Sequence, residues 1–151
     1  MPEQPMRPFV QVACICQASL QEANGSFSII RIMDRVPVGG TTEEMQPQPL
    51  NMLSLVVILK AGEMSGKYTL KIEPQTPSGK RLPPLQMPVL FERDERGVML
   101  CVPLALVATE EGLYWFDVMI EQEVLTRIPL RVMYQKLQSI PGMPGQPAPG
   151  N

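Results

Sequence analysis

A chain of 151 residues with 44% apolar and 19% charged side chains has the composition of one folded domain and not of a disordered polymer. Its net charge of −2 and its 13 scattered Lys and Arg argue against nucleic acid, which needs clustered cations to neutralise phosphates. Histidine is absent, and the only aspartates are Asp34, Asp94 and Asp117. The commonest general base and the commonest metal ligand are therefore missing.

Residues 1–8 read as an N-terminal extension without the apolar core of a signal peptide. The three cysteines are odd in number and show no repeated spacing, unlike a disulfide framework. Both features predict a cytoplasmic protein. No apolar run approaches the roughly 20 residues of a membrane-spanning helix, so no membrane insertion is expected.

From residue 9 onward, apolar period two dominates, the mark of half-buried strands. Val10, Val12, Cys14, Cys16, Ala18 and Leu20 form one apolar face. Asn24 and Gly25 signal a turn, and residues 27–33 follow as a second strand. Residues 36–49, rich in Gly, Pro, Thr, Glu and Gln, read as a long loop. Residues 53–60 are almost uniformly apolar, as in a central strand covered on both sides.

After Gly66, Tyr68, Leu70 and Ile72 alternate with Thr69, Lys71 and Glu73, predicting another half-buried strand. Residues 74–84 hold the turn signal Pro77, Ser78, Gly79 and Lys80. Met87, Val89 and Phe91 suggest a fifth strand, with a turn over residues 94–97. Val98, Leu100, Val102, Leu104 and Leu106 suggest a sixth. Pro103 lacks the N–H of a ladder, so this strand belongs at an edge or a bulge. Tyr114, Phe116, Val118 and Ile120 face inward on a seventh strand, and Ile128, Leu130, Val132 and Tyr134 on an eighth; Pro129 is a second weak point in the ladder. About eight short strands with turns between them predict an all-β antiparallel sandwich, immunoglobulin-like or jelly-roll-like, over residues 9–138. Residues 139–151, dominated by Pro and Gly, read as a disordered tail.

Cys14 and Cys16 share a strand face, a spacing that suits a metal. Zinc requires four ligands and only Cys101 remains, so core packing is the expected role. The loop carboxylates Glu43, Glu44, Asp94, Glu95, Glu110 and Glu111 would have to converge to hold calcium, which takes 6–8 oxygen ligands. Solvated turn residues are the simpler reading. No catalytic, cofactor-binding or metal-binding residue is assigned.

One surface stands out. If Tyr114 and Phe116 point inward, Trp115, Asp117 and Met119 point outward, joined by Arg127, Arg131 and Met133 from the return strand. A register with Phe116 opposite Leu130 sets Trp115 opposite Arg131 and Met119 opposite Arg127. Trp and Arg are enriched at binding hot spots, and Met adapts to partner surfaces. The competing readings are an exposed cross-strand cation–π pair worth about 0.5–1 kcal/mol, or a face covered by the 36–49 loop.

With the strands placed, three stretches carry a resemblance. The first runs from Ala13, Cys14, Ile15 and Cys16 through Asn24 and Gly25 to Ile29, Ile30, Arg31, Ile32, Met33, Asp34 and Arg35. The second is Leu55, Val56, Val57, Ile58 and Leu59 with Gly66, Lys67 and Tyr68. The third is Gly112, Leu113, Tyr114, Trp115 and Phe116 with Ile128, Pro129, Leu130, Arg131 and Val132. They cover most of residues 9–135, and the chain resembles an uncharacterised family of small bacterial β-sandwich proteins. The resemblance implies a fold and brings no functional residues. A protein-binding or scaffolding module is the leading expectation, with self-association included and Trp115, Met119, Arg127 and Arg131 as its surface. A small-ligand or carbohydrate-binding sandwich is the alternative.

Overall fold

The structure, a computed structural model, describes residues 6–138. Nine strands follow one another among these residues: β1 (Phe9–Gln21), β2 (Phe27–Met33), β3 (Arg35–Gly40), β4 (Gln48–Pro49), β5 (Ser54–Gln75), β6 (Leu85–Pro103), β7 (Val107–Ala108), β8 (Gly112–Ile120) and β9 (Glu123–Lys136). No helix occurs among the described residues, so the fold is all-β. One seven-stranded sheet runs β2-β1-β5-β8-β9-β3, with β6 also on β5, and β4 and β7 form a separate pair. The predicted tail lies outside the described residues.

β5 has three partners because it is 22 residues long. Its first half lies between β1 and the second half of β6, from Ser54 to Lys60. Its second half pairs with the first half of β6 and, from Leu70 to Gln75, with β8. The two halves meet at register shifts around Gly62, where Gly62, Gly66, Arg93 and Asp94 have positive φ. Residues that read as chain breakers are therefore absorbed as bulges in one continuous hairpin, which bends there and does not reverse. This corrects the separate strands expected over 53–60 and 68–73 and the turn expected at 94–97. Gly97 is needed at this bend, because a Cβ there would lie 1.7 Å from the Leu59 carbonyl oxygen.

The 36–49 region is the second correction. Its start is β3, parallel to β9 from Arg35↔Arg131 to Gly40↔Lys136, so the sheet is not wholly antiparallel. Buried Val36 and Val38 alternate with exposed Arg35 and Pro37, a strand pattern hidden by Pro37, Gly39 and Gly40. Leu104 and Leu106 also fall beyond β6. Both are buried in a connection fixed by Leu104 N donating to Leu53 O and Leu50 N donating to Leu106 O, each at 2.8 Å.

Both halves of the sheet feed one core. Ile15, Leu55, Val57, Leu59 and Leu100 come from the first half, and Leu70, Ile72, Phe91, Tyr114, Phe116, Leu130 and Val132 from the second. Tyr114 is fully buried, and its hydroxyl donates to Glu110 O at 2.9 Å, so the one polar atom it carries inward is satisfied. Pro103 ends β6, whose single partner is β5. Pro129 is exposed on β9 just before β3 begins to pair at Arg131. Both prolines sit where no ladder N–H is demanded.

Candidate functional site

The outward face of the second half carries all four residues singled out in the sequence. On β8, buried Tyr114, Phe116 and Val118 alternate with Trp115, Asp117 and Met119; on β9, buried Ile128, Leu130 and Val132 alternate with exposed Arg127, Pro129 and Arg131. Trp115 and Met119 are half-buried.

The cross-strand register differs from the expected one by two residues as far as Val118 and by three at Met119. Ile120 pairs with Glu123 across a tight turn of Glu121 and Gln122, and Leu125 is an extra residue opposite the Val118/Met119 step. Trp115 therefore lies opposite Pro129, Asp117 opposite Arg127, and Met119 opposite Val124, while Arg131 lies opposite Leu113. The expected Trp115–Arg131 and Met119–Arg127 oppositions assumed a longer loop. A shift of two keeps the same face outward, so the surface survives while its pairings change. The turn is tied to β5: Glu121 N donates to Thr69 O at 3.0 Å, and Thr69 N donates to Glu121 Oε1 at 2.8 Å.

An ionic ladder that sequence reasoning missed crosses this face. Glu73 of β5 stands opposite Asp117, which stands opposite Arg127. Arg81 Nη1 donates to Glu73 Oε1 at 2.7 Å, and Lys71 Nζ is 3.2 Å from Glu73 Oε2. These hydrogen bonds from Arg81 and then Lys71 hold the Glu73 carboxyl below its ordinary range. Asp117 is only 2% exposed. Arg127 Nε lies 3.1 Å from its Oδ1, close enough for an ion pair, yet that oxygen accepts no hydrogen bond, so the pairing is electrostatic. Alternation along β5 and β8 signalled that Lys71, Glu73 and Asp117 face outward. Only the register joins them.

The competing reading, a face covered by the 36–49 segment, does not hold. After β3 it is fastened to the end of β9, by Tyr134 Oη donating to Thr42 O at 2.5 Å and by an ion pair between Lys136 and Glu43.

The outward face of the first half is built differently. A bulge between Val10 and Val12 breaks the single apolar face expected along β1. Val10 packs on the main core with Ile15, whereas Cys14, Cys16 and Val56 form a second cluster edged by Val12, Phe27, Ile29 and Ile58. Leu20 is exposed. The two thiols are buried as expected, but away from the main core. Burial, with neighbouring Cys16 and Cys101 adding to it, pushes the Cys14 thiol up; burial and Cys101 do the same for Cys16. Such thiols are inert hydrophobes. Cys101 is exposed, with its Sγ 2.7 Å from Ser19 Oγ.

The loop carboxylates do not converge. Glu110 accepts from Ser78 N at 2.7 Å, Glu111 accepts from Tyr134 N, and Asp94 sits at the hairpin bend opposite Gly62. Among the described residues, no three Cys, Asp or Glu side chains are placed to hold a metal. An apolar cavity of 240 Å³ opens between the halves, lined by Leu55, Ile72, Pro74, Leu85, Leu104 and Phe116 among others. No helix among the described residues is long and apolar enough to cross a membrane.

Fold and surface together define an all-β domain with one outward face that buries Cys14, Cys16 and Val56 beside exposed Ile32 and Met99, and another bearing Trp and Arg. The chain belongs to the family of unknown function DUF6941, whose model matches residues 11–133. A search of the curated proteins gives no match.

Proposed function

We propose that the chain is a cytoplasmic, non-catalytic β-sandwich that works by binding another protein through the outward face of β8 and β9. Trp115, Met119, Arg127 and Arg131 carry the contact, and a second copy of the chain is an admissible partner. The observation behind this reading is that all four residues share one face beside a half-buried Trp115. Large flat side chains flanked by guanidinium groups are what hot spots are made of.

The test is affinity purification of the full chain beside its Trp115→Ala variant. The variant is expected to fold normally and to lose its partner. Retention of every partner by a folded Trp115→Ala variant contradicts the reading. Light scattering over a dilution series separates self-association from binding of a different protein.

The cavity between the halves favours a second reading, a site for a small ligand. Its lining is apolar, with Phe116 as the aromatic residue, which suits an aliphatic ligand better than a sugar. Such a ligand raises the melting temperature by binding only the native state, and a thermal-shift screen detects it.

A further inference from the structure

The charges around Trp115 are not arranged for folding alone. Arg35 and Arg131 are directly opposite across the β3–β9 pair, and both are exposed on the outward face. Like charges in that relation repel; the opposed carboxylates Glu73 and Asp117 on the same face are offset by Lys71, Arg81 and Arg127. Arg35 has an exposed partner in Asp34, at 3.2 Å, an arrangement of little strength in water. Arg131 has no ion pair among those of the described residues. Two residues before Arg131 along β9, Pro129 faces Trp115 and forms an apolar step beside it. Arg127 on the same face is paired with Asp117 and Arg35 with Asp34, which leaves Arg131 as the arginine of this face without an ion pair among the described residues.

From this juxtaposition, and resting on the protein-binding reading above, we infer that the partner presents an acidic, extended segment. Its carboxylates lie between Arg35 and Arg131, and an adjacent apolar side chain rests on Trp115 and Pro129. Guanidinium groups favour carboxylates because they offer paired donors in a plane. Charge complementarity of this kind governs which partner is accepted.

Three probes test it on the full chain by fluorescence anisotropy: a short labelled peptide alternating Glu with Leu, the same peptide with Gln for Glu, and a labelled single-stranded oligonucleotide of mixed sequence. The acidic peptide is expected to bind, the Gln peptide at least about tenfold more weakly, and added salt to weaken the complex. Arg131→Glu is expected to cost about tenfold or more. Arg96→Glu makes the same charge change at the distant hairpin bend, where Arg96 pairs with Glu92, and is expected to leave binding intact. Equal binding of the Gln peptide, absence of binding by the acidic peptide, tighter binding of the oligonucleotide, or indifference to Arg131→Glu overturns the inference. If Trp115→Ala abolishes partner recovery while Arg131→Glu does not, the acidic segment is wrong and the protein-binding face stands. If neither substitution matters, both fall.

Discussion

The two halves of the sheet share one core but present opposite outer faces. On the first half, Cys14, Cys16 and Val56 are buried under side chains of the chain's own β1, β2 and β5. On the second, Leu113, Trp115 and Met119 stay half-buried, beside the charged Asp117, Arg127 and Arg131 and exposed Pro129. The first face buries small apolar groups and leaves Ile32 and Met99 exposed beside them, with no cation of an ion pair among them. The second face keeps large side chains, Trp115 and Met119, and sets two arginines opposite one another. Under the proposed function, the second face is the one that serves recognition.

The sharpest way to break that contrast is to make the same kind of change on both faces. Cys16→Asp places an unpaired carboxylate in a site with no solvent exposure, and such a burial costs about 3–5 kcal/mol. Arg131→Asp, on the exposed ladder, is expected to stay within about 0.5 kcal/mol. Urea unfolding measures both, and equal losses would erase the distinction.

Gly97→Ala tests the join between the halves. Its Cβ would meet the Leu59 carbonyl, so the hairpin must shift, and overpacking of this severity costs about 1–3 kcal/mol or more. A variant as stable as the wild type would show that the bend is not tightly specified.

A smaller effect, present at neutral pH and vanishing in acid, is expected from Glu73→Gln. The pKa of Glu73 is lowered by Arg81 and Lys71. Its contribution is therefore present above the ordinary carboxylate range of about 4.3 and is lost as pH falls through the lower folded value. Wild type should lose stability in that window more steeply than Glu73→Gln, and parallel curves would count against the ladder.

Much of this was legible in the sequence. Period-two alternation placed Tyr114, Phe116, Ile128 and Val132 in the core and Trp115, Arg127 and Arg131 outside, because strand faces alternate whatever the register. Register itself was not legible. It depends on a two-residue turn and one bulged residue, Leu125, neither of which has a strong composition signal. The same holds for β3, whose Val36 and Val38 pattern was outweighed by Pro37 and two glycines, and for Gly62 and Asp94, which look like turns and act as bulges. The bulge at Val10/Val12 sent Cys14 and Cys16 to the second cluster while Ile15 took the main core. The Glu73–Asp117–Arg127 ladder joins residues from three strands, so it becomes visible only once pairing is known.

Trp115 is the chain's one tryptophan, and it lies on the face proposed for recognition. Acrylamide quenching of its fluorescence, measured with and without the partner recovered by affinity purification, therefore reads that surface directly. A bound partner is expected to shield the indole and lower the quenching constant, with Cys16 alkylation unchanged because its cluster is already closed. Unchanged quenching in a saturated complex would place the partner elsewhere and contradict the assignment of this face to recognition.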